Sequence, residues 1–292
     1  MKIARLLDTA AQTHFGSPID AGRARRLVGD LYAGLTETAE VLTVARWLAP
    51  VLPVNIFCIG LNYRAHAGET GKAVPTSPVV FMKPTTAISN PGDPIPLPRA
   101  CDQGPEVDYE AELAVVIGRT ARDVPASRAL GHVLGYTCAN DVSARHWQLK
   151  LGGGQWIRGK GFDGFCPLGP WLVTADAIPD PQTLGITCTL NSERVQDGHT
   201  GQMLFSVAEL IAFLSRDTTL LPGTLILTGT PSGVGMARQP PRYLRDGDRV
   251  EVAIEGIGTL TNPVRQAEGW LGQRPPGLRG CEKIPVGRVS AA

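Results

Sequence analysis

Apolar and polar positions change their period near residue 55. Before it, Asp20 stands as a helix cap ahead of Leu27, Val28, Leu31 and Leu35 at helical spacing. A second amphipathic helix is predicted from about Thr38 to Trp47, ending toward Pro50 and Pro53. From Ile56 onward the chain reads as short apolar runs broken by turn residues. Strands are predicted at Ile56–Gly60, Val79–Lys83, Glu112–Gly118, Val133–Asn140, Trp171–Thr174, Ile186–Leu190, Leu225–Thr228 and Arg249–Ile254. One later helix is well signalled, because Ser206-Val207-Ala208-Glu209 forms a capping box ahead of Leu210-Ile211-Ala212-Phe213-Leu214. Strands and helices do not alternate, which argues against a parallel α/β sheet and for an α+β, β-rich body. The Gly- and Arg-rich tail beyond Pro263 reads as a surface-draped or partly disordered segment.

Composition narrows the class. Of 292 residues, 28 are Lys or Arg and 27 are Asp or Glu, so the net charge is +1. That balance carries no basic or acidic field, and neither nucleic acid nor a membrane surface is expected as a partner. No apolar run reaches the roughly 18 residues of a membrane span. Asp8 interrupts the N-terminal stretch too early for a signal-peptide core. Six cysteines without a CxxC spacing read as reduced thiols, and a cytoplasmic protein is expected.

Candidate chemistry concentrates in four places. In Val107-Asp108-Tyr109-Glu110-Ala111-Glu112, strand alternation puts Asp108, Glu110 and Glu112 on one face at the head of an apolar run. Carboxylates so placed repel one another and resist burial, so they face either water or a cation. Asp141, at the end of another apolar strand, adds a carboxylate. An all-oxygen set selects a hard cation such as Mg²⁺, Mn²⁺ or Ca²⁺ over zinc. His66 and Glu69 are i, i+3 neighbours if their turn is helical, the arrangement that orients an imidazole base. Lys160 lies between Gly159 and Gly161, where backbone can approach closely and an ammonium can meet an anion. The Thr228-Gly229-Thr230-Pro231-Ser232-Gly233 turn offers hydroxyls and N–H groups for a carboxylate, with no phosphate-loop lysine.

Taken in order, these motifs resemble the catalytic domain of the fumarylacetoacetate hydrolase family. They are Asn62-Tyr63-x-x-His66-Ala67-x-Glu69, Phe81-Met82-Lys83-Pro84, the Asp108–Gly118 strand, Asn140-Asp141-Val142-Ser143-Ala144-Arg145, the Arg158–Trp171 loop, and the turn after Leu227. The resemblance implies a mixed β-sandwich roll over residues 55–264, with a small N-terminal domain at 1–54, a C-terminal extension at 265–292, and a homodimer. It implies Glu110, Glu112 and Asp141 as ligands of Mg²⁺ or Mn²⁺, with Ca²⁺ an occupant in crystals. His66 and Glu69 become a water-activating dyad on a lid, and Lys160 the site lysine. Arg145, Gln148 and Thr230 become substrate contacts. The expected activity is metal-dependent hydrolysis of a C–C bond in an acylpyruvate-type oxo acid, as in aromatic catabolism. Oxaloacetate-type decarboxylation and hydroxymuconate-type isomerisation are the alternatives on the same site. His146, Gly161 and Gly164 depart from the family's usual residues and leave substrate identity open.

Overall fold

The Ala111–Ile117 strand is apolar beyond Glu112 because both of its faces are buried. Leu113, Val115 and Ile117 enter one core with Ile186, Cys188, Val250 and Val252. Ala114 and Val116 enter another, with Ile56, Cys58, Leu225 and Leu227. A strand buried on both sides has no reason to alternate with polar residues. The structure, a computed structural model, describes residues 1–267. The central strand is flanked antiparallel by Val133–Asn140 and Thr224–Leu227. The sheet extends through Cys166–Thr174 on one side. On the other it continues through Asn55–Gly60, parallel to Thr224–Leu227, and then Val79–Met82.

A second sheet orders five strands as Glu193–His199, Gly185–Leu190, Arg249–Ile254, Gly258–Gln266 and Ile95–Leu97. Its apolar face closes the first core, giving the β-rich body with few short helices that the sequence predicts. The Val207–Leu214 helix begins with the expected box: Ser206 Oγ accepts from Glu209 N–H, and Glu209 accepts from Ser206 N–H.

Three expectations are corrected. The two N-terminal helices are strands: Arg23–Asp30 and Gly34–Leu48 pair antiparallel, next to Lys2–Asp8 and Thr13–Asp20. The apparent helical spacing of Leu27, Leu31 and Leu35 spans two strands and the turn between them, and a register shift at Arg25/Leu27 adds to it. Thr36, Thr38, Val41, Thr43 and Val44 are β-branched and suit the pleat. The strand read from Trp171 starts earlier, at Cys166, and carries Pro167 and Pro170 within it. Residues 264–266 belong to the Gly258–Gln266 strand rather than to a draped tail, and residues 268–292 lie outside the described residues. The N-terminal strands join the main sheet where Lys2 and Ile3 pair with Val173 and Leu172.

Candidate metal centre

Sheet pairing brings three carboxylates together. Glu110 immediately precedes the central strand, Glu112 is its second residue, and Asp141 follows the end of the neighbouring strand. The Asp141 N–H donates to Glu110 O at 2.9 Å, and the Glu110 N–H donates to Asn140 Oδ1 at 3.0 Å. Oxygens of Glu110, Glu112 and Asp141 lie within 4.8 Å of one another, and all three residues are buried.

Cations surround two of the three. Lys160 Nζ donates to Glu110 Oε2 at 2.7 Å and to Asp141 Oδ2 at 2.8 Å. Lys83 Nζ lies 2.7 Å from Asp141 Oδ1, off the hydrogen-bond direction. The same ammonium donates to Phe165 O at 2.8 Å, to Val142 O at 3.1 Å and to Lys160 O. Arg145 Nη1 meets Glu110 Oε1 at 2.7 Å and Gln148 Oε1 at 3.0 Å, while its Nε donates to Asp108 Oδ2 at 2.8 Å. Glu112 has no ion pair among the described residues; its Oε2 accepts the Gly229 N–H at 2.7 Å.

The charge balance of the cluster follows. Within it, four buried carboxylates (Asp108, Glu110, Glu112 and Asp141) face three buried cations (Lys83, Arg145 and Lys160), and Glu112 is the one left uncompensated; Glu106, also buried, lines a separate cavity. Burial, then repulsion by Asp141 and Glu110, drives the Glu112 carboxyl well above the usual carboxylate range. Burial pushes Glu110 the same way, but Lys160, Arg145 and His66 outweigh it and hold its carboxyl below that range. Burial alone would lower Lys160, yet Asp141 and Glu110 raise it, so its ammonium is retained. A buried carboxylate without a counter-charge costs several kcal/mol, on the order of what a divalent cation would relieve. Three clustered carboxylates fit a hard cation of the Mg²⁺ or Mn²⁺ kind.

The other expected residues gather around the same cavity of about 160 Å³, whose lining includes His66, Arg145, Gln148, Lys160 and Thr230. His66 is carried by the Arg64–Glu69 helix, and its Nδ1 is 2.7 Å from Glu69 Oε1. A carboxylate only accepts, so the ring proton sits on Nδ1 and Nε2 is the basic nitrogen. Glu69 Oε2 accepts the Gly233 N–H at 2.7 Å, which latches the helix over the cavity. Arg145 fixes the Gln148 amide with its oxygen inward, so the amide NH₂ is what remains for a ligand. Lys160 reaches the triad because the Ile157–Lys160 turn packs tightly on the preceding segment. A Cβ on Gly159 would stand 2.4 Å from Gln148 N and 2.8 Å from Ala144 O. Thr230 lines the cavity, but its hydroxyl donates to Ala111 O at 2.9 Å and accepts from Gln196 Nε2 at 2.7 Å. The hydroxyl proton expected to meet a carboxylate is therefore already used inside the fold.

Sequence reasoning missed Lys83, Asp108 as the anchor of Arg145, and Gln196. A lysine ending an otherwise apolar strand, Val79-Val80-Phe81-Met82-Lys83, was the available signal for the first. Asp108 shares the carboxylate face yet stays out of the triad. It accepts N–H groups from Tyr109, Gly235 and Met236 as well as the Arg145 guanidinium. Gln196 joins the Ala111 N–H, Thr230 and Pro231 from the second sheet, a link that no local spacing announces.

Residues 55–265 match the family described as fumarylacetoacetate (FAA) hydrolase C-terminal. Among similar proteins is the mitochondrial oxaloacetate tautomerase fahd2 of Xenopus laevis, 50% identical over 218 residues, covering 74% of this chain and 67% of that protein. The human mitochondrial oxaloacetate tautomerase FAHD2A is 48% identical over 219 residues, covering 75% of this chain and 69% of that protein. A solved structure of 5-carboxymethyl-2-hydroxymuconate delta-isomerase from Mycobacterium smegmatis superposes with a TM-score of 0.79 at 41% identity. It covers 91% of this chain and 100% of the other.

Proposed function

The chain belongs to the fumarylacetoacetate hydrolase family over residues 55–265, and on that premise we propose that it interconverts the keto and enol forms of a 2-oxo acid. The observation that carries this reading is the cavity that the His66 base shares with Glu110, Glu112 and Lys160, with Asp141 closing the triad behind them. In this reading Glu110, Glu112 and Asp141 hold a divalent cation, which supplies Lewis-acid charge toward a 2-oxo acid when bound. The Gln148 amide and the Lys160 N–H left after its two carboxylate bonds orient the acid and meet negative charge on its C2 oxygen. His66 Nε2 takes the proton from C3 as the C2=C3 double bond forms, then returns it to the C2 oxygen. One base thus completes the exchange, and the reverse order gives the keto form. Glu69 keeps the ring oriented throughout.

The tautomerase and isomerase names of the similar proteins support this enol chemistry over C–C hydrolysis as the main reading. Hydrolysis stays as a second reading because the oriented His66–Glu69 pair suits activation of water equally well. The deciding experiment follows loss of enol absorbance from freshly dissolved oxaloacetate with Mg²⁺ or Mn²⁺, beside pyruvate release from a panel of acylpyruvates. His66→Ala should slow ketonisation about 10²–10⁴-fold. A wild-type protein that releases pyruvate and leaves the ketonisation rate at background would overturn the main reading in favour of the second.

Two further elements belong to this proposal. Leu149, Leu151 and Ile157 are exposed on neighbouring turns, which supports a homodimer; a concentration-independent monomer mass in light scattering would exclude one. No helix among the described residues is long and apolar enough to cross a membrane. The five free cysteines among them suit a reducing compartment such as the cytoplasm; quantitative disulfide formation in protein isolated with thiols trapped would count against it.

A further inference from the structure

The buried charge balance leaves a question at the mouth of the cavity. Inside it, Arg145 is committed to Asp108, Glu110 and Gln148, and Lys160 to Glu110 and Asp141. Lys83 is sealed against Asp141 and three carbonyls. With Glu112 uncompensated, a divalent cation makes the cluster positive by one charge. One substrate carboxylate then restores neutrality. A second carboxylate would find no further cation within the cluster, and the rest of the wall is largely apolar, with Ile59, Phe81, Leu149, Trp156 and Met236.

Lys72 changes this picture. It lines the same cavity, it is exposed, and it has no ion pair among the described residues. Its position is set by the end of the His66 helix. Gly71 adopts φ +65, the left-handed conformation that ends helices, and the Lys72 N–H then donates to Ala67 O at 2.9 Å. Lys72 is therefore fixed to the element that carries His66 and Glu69.

We propose that Lys72 reads a second carboxylate at the far end of the substrate, so that the site selects 2-oxo dicarboxylates over 2-oxo monocarboxylates. This rests on the oxo-acid reading above and adds the residue that sets its specificity. Because Lys72 and His66 share one helix end, engaging the distal carboxylate also anchors the element that holds the base beside the cavity. An exposed ammonium keeps its hydration until the ligand arrives, so the preference should weaken as ionic strength rises.

The test uses two unreactive analogues of equal length, N-oxalylglycine with two carboxylates and N-ethyloxamate with one. Each is titrated calorimetrically into the Mg²⁺-loaded full chain. Wild type should prefer N-oxalylglycine, and Lys72→Met should lower that preference about ten- to hundredfold. Lys72→Arg should restore most of it, and high salt should narrow the wild-type preference. A preference unchanged in Lys72→Met overturns the assignment of Lys72 while the oxo-acid reading stands. Failure of both analogues to bind wild type overturns the oxo-acid reading and this inference together.

Discussion

Replacing Lys83 by Met tests whether the buried charge network holds the site in place. The residue is 2% exposed. Its ammonium lies 2.7 Å from Asp141 Oδ1 and donates to the carbonyls of Val142, Phe165 and Lys160. Met keeps most of the stem volume and removes the charge with every donor. Removing one partner of a buried ion pair costs about 3–5 kcal/mol. The carbonyls that lose a donor push the loss toward the upper end, since an unsatisfied buried acceptor costs about 1–3 kcal/mol. Urea unfolding in excess chelator, followed by tryptophan fluorescence, measures this directly. Asp141→Asn in the same background removes the charge that Lys83→Met exposes. The double variant should therefore be more stable than the two single losses predict, by about 1–3 kcal/mol. A loss below about 1 kcal/mol, or strict additivity, would mean that Lys83 is not the counter-charge of Asp141.

Two other outcomes are expected. Glu112→Gln keeps an acceptor for the Gly229 N–H and removes the cost of burying a carboxyl that no cation of the cluster compensates; the metal-free protein should melt about 2–4 °C higher, and the Mn²⁺-induced rise in Tm should vanish, whereas an undiminished Mn²⁺ shift would remove Glu112 from the ligand set. Burial, with help from Glu106, pushes the half-buried Cys101 thiol up to about 12, so peptide-resolved alkylation at pH 8 should run about 10³-fold slower than for a free thiol; modification at the free-thiol rate would contradict that environment.

The sequence displayed the triad because strand alternation alone aligns Glu110 with Glu112, and because Asp141 terminates a legible apolar strand. The His66–Glu69 pair was equally readable, since both residues lie within one helical turn. What escaped was long-range. Lys83 meets Asp141 across the sheet, and Gln196 reaches Thr230 from the second sheet, so neither contact leaves a periodic mark. The Arg23–Asp30 and Gly34–Leu48 strands escaped for a related reason. A register shift and a tight turn imitate helical spacing when leucines fall on either side of them. The Thr230 hydroxyl shows a further limit, because residue type reveals a donor and only the fold shows where its proton goes.

The bond from the Asp141 N–H to Glu110 O has a consequence for how such a site can diversify. The spacing of the acidic residues is set by the ladder between two buried strands, so the cradle is a property of the scaffold and exists before any ion arrives. Stripping an ion from it should leave the chain folded, unlike small domains that metal holds together. His66, Gln148, Lys160 and Thr230, by contrast, stand on short turns and connections that strand pairing does not fix. Substitutions there can redirect a reaction while the cradle stays intact. Permanent hardware and interchangeable tooling are thus physically separate, which lets one architecture accommodate relatives that bear the names of different reactions.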